Sequence, residues 1–141
     1  MKTIKNLTLV LALMMISLAA TAQTNPQLYV IVQHAENSTA YDANSMRINN
    51  EIVSKYSSNS KIVFVSYNVS NDEITANTSN DFDWLAVYNS AYENNGQEGI
   101  VIMDPANKNV LARFDLNAGT RDILKSIAES SQTVVRSYAH Q

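Results

Sequence analysis

The side chains best placed to do chemistry sit in one short stretch. His34, Ser38 and Tyr41 fall within eight residues, and Glu98 is a distant carboxylate able to join them. An imidazole four residues before a hydroxyl suggests an acid/base pair. A serine nucleophile, however, needs an adjacent base and oxyanion donors. No Gly-X-Ser-X-Gly pattern surrounds Ser38, and a lone imidazole without a second histidine or a spaced carboxylate is a weak metal site. The plainer reading makes Ser38 a helix cap, Tyr41 a packed aromatic and His34 a structural or surface residue. No catalytic residue, cofactor or metal site is assigned. His34, Ser38, Tyr41 and Glu98 are kept as candidate contacts for a ligand or partner.

The other chemical groupings are weaker. Asp72, Glu73, Asp81 and Asp83 form the densest acidic group, but lack the ordered oxygen ladder and tight-turn glycine of a calcium loop. They read as loop solvation and helix N-terminal charge. Three glycines, Gly96, Gly99 and Gly119, make no phosphate cradle. Trp84, Tyr88 and Tyr92 at helical spacing read as core or core rim, with a sugar-stacking or partner-binding ridge as the alternative. His140 lies in the tail and reads as exposed.

Composition narrows the field further. The chain has 141 residues, net charge −3 and no cysteine. Thiol catalysis, disulfide exchange, cysteine–zinc ligation and a lipid-modified cysteine anchor are therefore excluded. Lys2 and Lys5, the apolar run from Leu7 to Ala20, and Ala20-Thr21-Ala22 read as an export signal over residues 1–22. The run is too short and wrongly flanked for a membrane anchor. Cleavage would remove 22 of 141 residues, including two lysines and no acids. The remaining 119 would carry 8 basic against 13 acidic side chains, net −5. That length supports one domain with a core, residues 23–141. The charge argues against nucleic acid and anionic membrane as partners. The expected location is exported, periplasmic or secreted.

These residues need elements to hold them. Lys61–Tyr67 contains Ile62-Val63-Phe64-Val65, four consecutive apolar residues with no face for water. It reads as the central strand of a sheet covered on both faces. Leu28–Val32 and Gly99–Met103 are built alike. A helix follows the first strand to about Ser57, with Tyr41, Ser45, Ile48, Ile52, Val53 and Tyr56 on its inner stripe. Asn68 to Asn80 reads as a long polar loop with a helical turn near Glu73–Ala76. A second helix spans Asp81 to Asn94, with Asn80 as cap, Phe82, Leu85, Ala86 and Asn89 along one side, Trp84, Val87, Tyr88 and Ala91 broadening it, and Gly96 as stop. Asp104-Pro105 opens a turn into a strand on which Val110, Ala112 and Phe114 share one side. The last helix begins at Thr120 as N-cap and buries Ile123, Leu124, Ile127 and Ala128.

Strand, helix, strand, helix, hairpin, helix resembles the thioredoxin-like fold over Leu28 to Ser130. His34-Ala35-Glu36-Asn37-Ser38-Thr39-Ala40-Tyr41-Asp42 is similar to that family's passage from first strand into active-site helix. The resemblance puts Ser38 and Tyr41 at the two cysteine positions. Gly99 to Phe114 is similar to the family's last hairpin. Both cysteines are missing, the place of the cis-proline is taken by about Glu98 with Gly99 after it, and the buried acid falls near Val32. The resemblance implies an α/β three-layer sandwich, a mixed sheet of about four strands flanked by helices. It also implies a surface groove by the His34–Tyr41 turn and Gln97–Gly99, without redox activity. The expected function is binding an extended peptide or another envelope protein. The alternatives are a cysteine-independent hydrolase using His34 with Ser38 or Glu98, and a structural subunit contacting through Trp84–Tyr92.

Overall fold

The computed structural model describes residues 28–77, 82–93 and 95–139. The export signal, the lead-in Thr24–Gln27, the cap at Asn80 and His140 lie outside the described residues. Among those described, no helix is long and apolar enough to cross a membrane.

The elements run β1 (Leu28–His34), α1 (Thr39–Arg47), β2 (Ile62–Asn68), β3 (Glu73–Ala76), α2 (Trp84–Glu93), β4 (Gly99–Asp104), β5 (Asn109–Phe114) and α3 (Thr120–Ala139). α1 continues as a π-helical segment, Ile48–Val53, and a 3₁₀ turn, Ser54–Tyr56. The Ser54 hydroxyl donates to the Asn50 carbonyl at this change of winding. Five strands form one α/β sheet, ordered β3-β2-β1-β4-β5. β1 and β2 run parallel, Leu28 opposite Ile62 and His34 opposite Asn68. Every other pairing is antiparallel.

The centre of the sheet is β1, not β2. β1 has a strand on each side and then a helix layer on each face. Its alternate residues divide two cores. Leu28, Val30 and Val32 join Ile48, Ile52, Ile123 and Ile127 on the side of α1 and α3. Tyr29 and Ile31 join Ala86, Val87 and Ala91 on the side of α2. β2 is just as apolar, so its hydrophobicity alone cannot tell a middle strand from its neighbour.

The fifth strand, β3, replaces the loop and helical turn read over Glu73–Ala76. Asn68 and Asn71 side chains accept from the N–H groups of Ser70 and Glu73, and Asp72 is left-handed at φ 58. Those local bonds make a tight reversal. Ile74 and Ala76 then pack on the α2-side core, while Glu73 and Thr75 stay exposed.

Further expectations are corrected. Ala128 is exposed, and α3 buries Ser130 and Val134 along with the expected Ile123 and Ile127. α2 buries Ala86, Val87 and Ala91 of its expected stripe together with Ser90, while Leu85 and Asn89 of that stripe are exposed. Trp84 and Tyr92 are 60% and 77% exposed, so they are not core. β5 carries a bulge between its pairings Ile102–Ala112 and Met103–Val110, which sends Val110 to the α2-side core while Ala112 and Phe114 stay on the other. The Thr120 hydroxyl donates to Glu51 at 2.6 Å and accepts from Arg47 at 2.7 Å, fastening α3 to the first helical run in place of capping. Arg47 also donates to the Leu116 carbonyl at 3.0 Å.

Candidate functional site

β1 ends at His34, where the chain turns over Ala35–Ser38 into α1. Asn37 takes the left-handed region at φ 60, and the Ser38 oxygen accepts from the Tyr41 N–H at 3.1 Å as N-cap. From the other side of β1, Glu98 reaches across the start of β4 and accepts from the Ala35 N–H at 2.9 Å. The Ser38 hydroxyl, the Ala35 N–H and, more weakly, the nearby His34 ring hold the Glu98 carboxyl below the usual glutamate range, against partial burial. The Tyr41 N–H thus bonds to Ser38, and the Glu98 carboxylate lies beside that hydroxyl at the positive end of α1.

His34 lies flat on Tyr41, with ring centroids 3.9 Å apart and 9° between planes. Its Nε2 is 3.1 Å from the Ser66 hydroxyl on β2. The four candidate residues thus meet at one end of β1, and the imidazole is hydrogen-bonded to Ser66 rather than to Ser38 or Glu98. Ser66 completes the cluster. A single serine in an apolar strand gives no sequence signal, and only the parallel β1–β2 register brings it beneath His34.

Beside this cluster, a groove of about 300 Å³ opens on the α1 side of β2 and β3. Tyr41, Ser45 and Asn49 form its helical wall. Ser66, Thr75 and Asn77 form the other, and Val32 and Phe64 lie in the floor. It exists because α1 covers β1 and β2 but stops short of β3.

Two residues of the acidic group hold the fold together. Asp83 accepts from the Ala86 N–H at 3.0 Å and caps α2. Asp72 accepts from the Tyr67 hydroxyl at 2.6 Å. Asp81 lies outside the described residues, and among the described residues no three histidine or carboxylate side chains gather as a metal site would require.

Compared with protein-family models, with curated proteins and with solved structures, the chain finds no match.

Proposed function

We propose that this chain is an exported thioredoxin-like domain without redox chemistry, and that it binds an extended segment of a partner protein. The fold reading is supported by strand order β2-β1-β4-β5, with one parallel and two antiparallel pairings, and by α1 and α3 sharing one face opposite α2. β3 is an addition at the β2 edge. Thiol–disulfide redox chemistry is ruled out by the absence of cysteine.

The binding reading is carried by the edge of β3 beside the groove, which pairs with no further strand among the described residues. The Asn77 N–H donates to the Phe64 carbonyl at 3.1 Å, and Phe64 donates back to the Asn77 side chain at 2.9 Å. Antiparallel ladders alternate, so Thr75 exchanges bonds with Ser66, and Glu73 with Asn68. Ile74 and Ala76 then turn their backbone groups outward. An extended peptide added along this edge would hydrogen-bond to them and lay alternate side chains over the groove beside Tyr41.

Selection from a random peptide library on the immobilised full chain tests this. The expected result is a sequence family whose binding falls about tenfold or more in Ala76→Pro, which deletes one outward donor and leaves the inner ladder intact. Tyr41→Ala should weaken it comparably, and Trp84→Ala should not. No enriched family, or one indifferent to Ala76→Pro in a variant with native circular dichroism, would overturn the reading.

A further inference from the structure

A second groove, of about 430 Å³, lies on the opposite face of the sheet, under the C-terminal half of α2. We propose that it binds a quaternary ammonium cation, the trimethylammonium head group of a small choline-like solute. The groove shares no residue with the one beside β3, so this inference stands apart from peptide binding.

Three tyrosines line the space. Tyr67 rises from β2 and is buried. Tyr88 and Tyr92, one helical turn apart on α2, are 38% and 77% exposed. The Tyr92 ring is largely outside the core, so packing does not explain an aromatic residue there. Tyrosine π-faces attract cations, and rings grouped around a methylated ammonium are the recurrent use of that attraction.

The charge of the lining has one sign. Among the described residues, Asp72 is its sole formal charge, and no lysine, arginine or histidine lines the groove. Tyr67 donates to one Asp72 oxygen, Oδ1, at 2.6 Å, which fixes the carboxylate and leaves Oδ2 for a ligand. Burial, with Asp72 beside it, pushes the Tyr67 phenol above its ordinary range, so it stays a neutral donor.

The end of α2 adds to the same field. The Gly96 N–H closes on the Ala91 carbonyl at 2.9 Å and the Asn95 N–H on the Tyr92 carbonyl at 3.1 Å, with Asn95 and Gly96 both left-handed. This brings the helix C-terminus, the negative end of its dipole, to the wall of the groove. Carboxylate, helix end and π-faces all favour positive charge. A bare ammonium would demand more direct acceptors than this open lining supplies, whereas trimethylammonium spreads its charge over methyl groups that suit aromatic walls.

The experiment is an NMR titration of the full chain with choline, run against 3,3-dimethyl-1-butanol, its neutral isostere. Choline should bind saturably with upfield-shifted N-methyl protons, and the isostere about tenfold more weakly. Asp72→Asn keeps an acceptor for Tyr67 and tolerates a left-handed backbone. It should weaken choline about tenfold at unchanged melting temperature, as should Tyr92→Ala, while Trp84→Ala leaves binding intact. Absence of saturable choline binding would overturn the proposal. So would equal binding of the isostere, or indifference to Asp72→Asn.

Discussion

The chain leaves β1 for β2 on one side and returns to β4 on the other, and Glu98 stands at that crossing. In open α/β sheets, the end of the strand where the chain changes sides is where ligands commonly bind. Here a carboxylate of the protein itself occupies the N–H of Ala35. Its bonds make a definite acid dependence. Glu98 titrates lower in the folded chain than the ordinary glutamate value of about 4.3, so its charge stabilises the fold above that range. That stabilisation is lost as pH falls through the folded value. Glu98→Gln keeps an acceptor for Ala35 but loses the charge. It should cost about 1 kcal/mol at neutral pH, with the difference from wild type vanishing in acid. Urea titrations of both proteins at neutral and acid pH would show it. A gap that widens on acidification would contradict the account. Of this cluster, the Ser38 cap was legible because a side-chain oxygen beside a helix start has a local meaning. The His34–Ser66 bond was not, because it depends on strand register.

Among the elements, the hairpin β4–β5 shows how far pattern reading reaches. Gly-Ile-Val-Ile-Met followed by Asp104-Pro105 marks strand and turn, and Asp104 accepts from the Ala106 N–H at 3.1 Å to close it. Gly99 carries a demand that the pattern does not display. Its φ is 155, and a methyl there would lie 2.5 Å from the Phe114 carbonyl oxygen of the neighbouring strand. Gly99→Ala should therefore cost about 3 kcal/mol from backbone strain and overpacking together, read as a lowered urea midpoint at unchanged slope. A loss below about 1 kcal/mol would mean that β5 yields easily. The bulge escaped the alternation because one extra residue reverses every side chain beyond it without changing composition. α2 was misjudged for a related reason. Helical spacing places the rings of Trp84, Tyr88 and Tyr92 beside the inner stripe, yet close approach of helix to sheet is made by the smaller Ala86, Val87, Ser90 and Ala91. β3 was missed because four alternating residues in a polar stretch do not outweigh the turn chemistry around them.

At the scale of the molecule, one sheet separates two apolar layers that touch each other only through its strands. The side of α1 and α3 contains Ile123 and Ile127, both fully buried, and the side of α2 contains Val87, also fully buried. The continuous apolar runs announced this double coverage, since a strand wet on one face alternates. They did not announce that Gln33, at the end of β1, is fully buried with neither amide atom hydrogen-bonded among the described residues. Nor did they show that α2 presents Trp84, Leu85, Tyr88 and Tyr92 outward. Two layers without shared side-chain partners should respond independently to damage. Ile123→Ala should cost about 3 kcal/mol and Val87→Ala about 2 kcal/mol, each leaving a cavity on its own face. Their combination should cost the sum within about 0.5 kcal/mol, because no side chain touches both sites. Chemical denaturation of the two single variants and the double variant closes the cycle. A shortfall or excess above about 1 kcal/mol would mean that β1 transmits repacking from one face to the other, and that the layers behave as one core.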